Sequence, residues 1–194
     1  MKWLKTLLQK LIKEKDLMKV LVILGSTQRP GTSTTLAEAF VKGAQEAGHD
    51  VTVYDAAKNP ITPMHVDANN RAIPGDENTQ YYLRLLEETD AVVFATPLYY
   101  FGMSAQMKAA VDRFYEDDYG LMGNKYGVLL ATAWGDSFRF DNLVGHYHAI
   151  LHYMKWVDAG YITAQWSDNV DLLKRHDYIE QAYKLGRHLG EPIR

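Results

Sequence analysis

The sequence predicts an α/β protein in three layers, a five-stranded parallel sheet with helices on both faces, preceded by an amphipathic helix. Two observations carry this. Five short apolar runs alternate with segments of helical length and periodicity, an order that right-handed crossovers convert into a parallel sheet. The first run, Val20–Leu24, is apolar at every position, as a strand covered on both faces requires.

The elements follow in chain order. Residues 1–17 stand apart. Trp3, Leu4, Leu7, Leu8, Leu11 and Ile12 fall on one helical stripe, with Lys2, Lys5, Gln9 and Lys13 opposite. Five lysines against Glu14 and Asp16 give this segment +3, which leaves −6 on the remainder of a chain of net charge −3. Such a helix suits an anionic membrane, a partner, its own domain, or an extension dispensable to the fold. Met18-Lys19 then leads into strand one. Ser33–Gly48 is a helix with Leu36, Ala37, Phe40, Val41 and Ala44 on one face and Gly48 as its stop. Asp50–Tyr54 is the second strand. Thr79–Glu88 is a helix with Tyr82, Leu83, Leu85 and Leu86 as its apolar positions, and Ala91–Ala95 is the third strand. Ser104–Tyr115 is a helix burying Met107, Ala110, Val111 and Phe114, and Tyr126–Ala133 is the fourth strand. Asp141–Trp156 is a long helix, Tyr161–Gln165 a weaker fifth strand and Asp177–Leu189 the closing helix. One irregular stretch remains, Ala56–Asn78, broken by Pro60, Pro63 and Pro74; loops of that length in compact domains are functional, mobile or plain surface excursions.

The 194 residues therefore divide into an amphipathic extension, 1–17, and one domain, 18–194. With no cysteine, there is no disulfide, thiol nucleophile, zinc–thiolate site or iron–sulfur cluster. The charge leaves no basic footprint for nucleic acid. No apolar run is long enough to span a membrane, and the basic N-terminus has no uninterrupted apolar stretch of signal-peptide length, so a cytoplasmic protein is expected.

In a doubly wound sheet, ligands sit beyond the carboxyl ends of the strands. The loop after strand one, Gly25-Ser26-Thr27-Gln28-Arg29-Pro30-Gly31, enters the next helix through four consecutive hydroxyl residues, Thr32 to Thr35. Free N–H groups and the positive end of the helix dipole gather there, which suits a phosphate monoester. The plainer alternative is a hydroxyl-rich cap. Gly31 is followed by Thr32 and not by lysine, so the loop is no Walker A motif, and Gly25 and Gly31 are too far apart for a dinucleotide fingerprint. Asp55, ending strand two, is thus a weak candidate for a ribose partner. After strand three comes Thr96-Pro97-Leu98-Tyr99-Tyr100-Phe101-Gly102-Met103-Ser104. Three adjacent aromatic side chains cannot all point inward, and an aromatic loop at the sheet's mouth fits a flat heteroaromatic ring. After strand four, Ala133-Trp134-Gly135 adds an indole beside a glycine.

These residues resemble a known family. Gly25–Leu36 resembles the FMN phosphate loop of the NAD(P)H-dependent FMN and quinone reductases of flavodoxin-like fold. Thr96–Phe114, TPLYYFGMSAQMKAAVDRF, is similar to that family's flavin-ring loop and following helix and is the more specific match. The resemblance covers Met18 to about Leu189. It implies that Ser26, Thr32, Ser33 and Thr34 bind the FMN phosphate, with Gln28 standing where many relatives have arginine and Arg29 replacing it one place later. It implies that Pro97, Leu98, Tyr99, Tyr100, Phe101, Gly102 and Met103 border the isoalloxazine, largely through backbone, and that Ala133, Trp134 and Gly135 form a third, loosely matched flavin loop. The implied activity is ping-pong transfer of electrons from NAD(P)H through FMN to a quinone, an azo or nitro compound, or free flavin, with no catalytic side chain required. A homodimer with flavin near its interface is the expected assembly. A non-enzymatic FMN electron carrier of flavodoxin type is the alternative, and a flavin-free, membrane-associated module acting through residues 1–17 is a third reading. His148 and His152 are spaced to share a helix face, with His146 turned away; without a metal-binding pattern they are read as helix-face or pocket histidines, and no metal is expected.

Overall fold

A computed structural model describes residues 17–191. The amphipathic segment expected at the N-terminus thus lies, except for Leu17, outside the described residues. Five parallel strands, β1 (Lys19–Leu24), β2 (Asp50–Asp55), β3 (Ala91–Pro97), β4 (Tyr126–Thr132) and β5 (Val157–Ala164), form one sheet in the order β2-β1-β3-β4-β5. The helices between them are α1 (Thr32–Ala47), α2 (Glu77–Glu88), α3 (Ala105–Asp112), the single turn α4 (Asp118–Leu121) and α5 (Asp141–Met154); α6 (Val170–Leu173) and α7 (Tyr178–Arg187) follow β5.

Strand alternation explains the uninterrupted apolar runs. Leu21, Ile23, Val92, Phe94 and Leu129 join one core, under α2, α3 and α5. Their neighbours Val20, Val22, Leu24, Val93 and Leu130 join the other, with Leu36, Phe40 and Ala44 of α1 and Ala182 of α7. The sheet is therefore buried on both faces, as expected from the sequence.

Four departures have physical reasons. The fifth strand begins at Val157, earlier than the apolar pattern indicates, because Asp158 and Gly160 interrupt it; the β4–β5 register shifts between Gly127 and Leu129. Asp158 is there for bonding: its carboxylate accepts from Tyr147 Oη (2.7 Å) and the Gly160 N–H (2.8 Å). Burial, then the bond to Asp158, holds the Tyr147 phenol well above its ordinary pKa. The expected third helix is split, with α3 passing into a 3-10 turn, Arg113–Glu116. The turns α4 and α6 each have an acidic or amide cap, Asp117 and Asn169, but too few residues to show helical periodicity. Helix α2 starts earlier than expected, at Glu77, because Asp76 accepts from the Thr79 N–H (3.0 Å) and acts as its N-cap.

The long loop after β2 is tied down from within. Arg113, fully buried, donates to the carbonyls of Thr62 (2.8 Å), Ile73 (3.0 Å) and Pro63 (3.1 Å) and pairs with Glu116. Beyond this clamp the chain makes a small hairpin, with Val66 bridged to Ala72 and the Asp67 carboxylate accepting from the N–H groups of Asn69 and Arg71.

Candidate functional site

The strand order reverses direction between β1 and β3, and their carboxyl ends open a crevice there. The two loops leaving these strands are bonded to each other. The Gly25 N–H donates to Ala95 O (2.9 Å), and Ser104 Oγ donates to Gly25 O (2.6 Å) while accepting from the Met107 N–H (3.2 Å) as the N-cap of α3. A Cβ on Gly25 would fall 2.8 Å from Ser104 Oγ and 2.9 Å from Met107 Cβ, so this approach admits only glycine.

Helix α1 begins in this crevice, and no side chain caps it: Gly31 occupies the N-cap. Ser26, Thr32, Ser33 and Thr34 are all buried around its first turn. Ser26 Oγ accepts from the Gln28 N–H (3.2 Å), and Thr32 Oγ1 donates to Thr132 Oγ1 (2.8 Å) at the end of β4. Thr34 Oγ1 is buried with no hydrogen-bond partner. A buried hydroxyl is rarely left so, and its position beside uncapped helix N–H groups is what an anionic oxygen would satisfy. Gln28 is exposed at the loop's tip. Arg29 turns back on its own loop: its guanidinium donates to the carbonyls of Ser26 and Gln28 (both 2.7 Å) and pairs with Asp55 (2.9 Å). It shapes the loop, and Asp55, the weak ribose candidate, is occupied holding it.

The aromatic loop is a tight hairpin. The Tyr99 N–H donates to Gly102 O (3.1 Å) and the Gly102 N–H to Tyr99 O (3.0 Å). Tyr100 and Phe101 between them take φ values of 45° and 66°, the left-handed region that a two-residue hairpin turn demands and that aromatic residues avoid. Tyr100 is 100% exposed. Pro97 ends β3; Leu98 and Met103 pack on the core beneath, and the Leu98 N–H donates to Thr132 O (2.9 Å).

The third loop faces it. Ala133 is held by Ala164 O and Ser167 N, Gly135 O accepts from the Trp166 N–H (3.1 Å), and Trp134 meets Trp166 edge to face at 5.1 Å. Leu98, Tyr100, Phe101, Ala133, Trp134 and Arg139 enclose a cleft of about 380 Å³. The three loops that sequence singled out thus converge on one end of the sheet. Ser104 ends the second of these loops, though its bonding role was not foreseen; Thr132 and Arg139 lay outside the residues singled out. Ser104 was legible as a hydroxyl one place before a helix; Thr132 and Arg139 carry no local signal.

The histidines lie elsewhere, on α5. His148 pairs with Asp158 (3.1 Å) and is exposed; His146 is half-buried, and burial, then Lys108, lowers its pKa. Among the described residues no group of three or more His, Asp or Glu side chains could hold a metal ion.

An uncapped helix start and an aromatic cleft, linked through Ser104, suit a flavin mononucleotide in a doubly wound protein, and the orphaned Thr34 hydroxyl fits the cofactor's phosphate. Residues 18–170 match the family model of NADPH-dependent FMN reductases, and the chain belongs to that family. A protein named as an NAD(P)H-dependent FMN-containing oxidoreductase, YwqN of Bacillus subtilis (strain 168), is 28% identical over 182 residues, covering 87% of this chain and 96% of its own. An FMN-dependent NADPH-azoreductase of Staphylococcus saprophyticus is 33% identical over 119 residues, covering 58% of this chain and 63% of its own. Among solved structures, an NAD(P)H:quinone oxidoreductase from Methanothermobacter marburgensis superposes with a TM-score of 0.73 over 92% of this chain and 98% of that one, at 17% identity, and so bears out the flavodoxin-like fold. FMN is accordingly the cofactor and NAD(P)H the electron donor, and the family favours an enzyme over the passive electron carrier.

Proposed function

We propose that the chain reduces small, planar electron acceptors such as quinones and azo compounds, with FMN held by the two stitched loops. When bound, FMN supplies the two-electron relay between nicotinamide and acceptor. The protein binds, orients and shields. The uncapped N-terminus of α1, with Ser26, Thr32, Ser33 and Thr34, takes the phosphate; Gln28 lies at the rim and Arg29 fixes the loop's shape. Backbone groups from Pro97 to Met103 border the ring, and Ala133, Trp134 and Gly135 close the opposite side. Tyr99, Tyr100 and Phe101 shape the face on which a second flat molecule stacks.

The observation that carries this reading is the unpartnered Thr34 hydroxyl at an uncapped helix start, bonded through Gly25 and Ser104 to a strained aromatic hairpin. The test is an absorbance spectrum of purified protein with added FMN, then NADPH. A flavin band at about 450 nm that bleaches on NADPH, and returns with a quinone or azo dye, is the expected result. Bound flavin that does not bleach would return the electron carrier to favour; no binding at excess FMN would refute the site.

We also propose a homodimer formed through the exposed aromatic rim. Tyr100 and Phe138, the latter 72% exposed, are unusual surface residues for a lone subunit. Light scattering should give twice the chain's mass; a single-chain mass at micromolar concentration would refute it. A cytoplasmic location agrees with use of NAD(P)H; among the described residues no helix is long and apolar enough to cross a membrane. The family match begins at residue 18, which supports treating 18–194 as the flavin-binding unit and 1–17 as an appendage.

A further inference from the structure

The cleft beside the hairpin carries an exposed cation with no ion-pair partner among the described residues. Arg139 stands on the 3-10 turn Ser137–Phe140. Buried Phe140 pins that turn to the core, and the pitch of three residues per turn directs its neighbour elsewhere. The Arg139 stem rests on Gly135: a Cβ there would fall 2.2 Å from both Cδ and Nε, so the glycine, at φ 139°, is the hollow that receives it. The exposed guanidinium makes no hydrogen bond or ion pair with any described residue, as is true of Arg71 and Arg175 elsewhere on the surface; what sets Arg139 apart is its place in the wall of the aromatic cleft.

We infer that Arg139 is the specificity-determining residue of this site, receiving an anionic oxygen group carried by a planar substrate ring that shares the cleft with the flavin and stacks on its open side. A guanidinium fork matches sulfonate, carboxylate and diphosphate alike, two N–H groups to two oxygens. Tyr100, Phe101 and Trp134 supply the aromatic surfaces for the ring. Two sources share this chemistry: the diphosphate of the nicotinamide donor, and an acidic substituent on the acceptor. The inference rests on the oxidoreductase reading above and sharpens it to substrate class.

The test compares FMN-loaded wild type, R139Q and R139K. In ping-pong kinetics, kcat/KM is obtained separately for each substrate. It is measured for NADPH, for a sulfonated azo dye and for the uncharged 2-methyl-1,4-naphthoquinone. Dissociation of NADP⁺ is followed by tryptophan fluorescence, each at low and high salt. In R139Q, a fall of about 10-fold or more in kcat/KM for the dye relative to the quinone assigns the acceptor. A similar fall for NADPH, with weaker NADP⁺ binding, assigns the donor. R139K should restore part of either, and salt should weaken the wild type more than R139Q. Charged and neutral substrates changing alike, neither changing, or loss of FMN from R139Q would overturn the inference alone. A wild type that binds no flavin would overturn the underlying reading with it.

Discussion

The loop after β2 and the mouth of the sheet are both irregular, both contain arginine, and are built on opposite terms. In the first, the buried Arg113 gives its hydrogen bonds to three carbonyls and Glu116, and the hairpin beyond it satisfies its own amides through Asp67. In the second, a buried hydroxyl has no partner, a helix has no capping side chain, two aromatic residues hold left-handed backbone, and Arg139 faces a cleft unpaired. A segment that closes its own bonds is scaffold. One that leaves several open together, at an energetic cost, offers a ligand groups to satisfy, which is the basis of the proposed site.

That contrast can be broken by experiment. The largest effect is expected from Arg113→Met, which strands Glu116 and three carbonyls and should cost about 3–5 kcal/mol of unfolding free energy in urea. The folded fraction should still bind FMN within about 3-fold of wild type by titration, since Arg113 touches only the scaffold loop; selective loss of FMN would erase the distinction. Next, Thr34→Val should weaken FMN by roughly 10- to 100-fold, the worth of a hydrogen bond to a charged group, while leaving urea stability of the FMN-free protein unchanged or slightly raised. A large stability loss instead would mean that the hydroxyl already has a structural role. Smallest, Tyr100→Gly should stabilise the FMN-free protein by about 1 kcal/mol, because glycine takes the left-handed turn without strain. Stability that falls would show the hairpin to be scaffold after all.

Much of the fold was legible in the sequence because burial on both faces of a parallel sheet writes itself as uninterrupted apolar runs, and α1 and α5 are long enough to show periodicity. The edge strand β5 was short by half because its outer positions serve Tyr147 and solvent rather than the core. At the site, the three loops were found from composition, glycine spacing and the resemblance. What the sequence hid was tertiary. Arg29 follows an exposed glutamine and nothing local foretells its grip on Asp55; Arg113 sits inside a helical pattern with no mark of the clamp it forms; Arg139 reaches the cleft only because Phe140 turns inward and Gly135 makes room.

The bond from Ser104 Oγ to Gly25 O spans 79 residues of chain and makes the first two loops a single anvil. The wall that bears Trp134 and Arg139 grows from the ends of β4 and β5 and meets this anvil only at its root, where Thr132 bonds Thr32 and Leu98. On the role proposed for Arg139, a lineage that recasts the outer part of that wall changes which molecule is received and inherits the anvil intact.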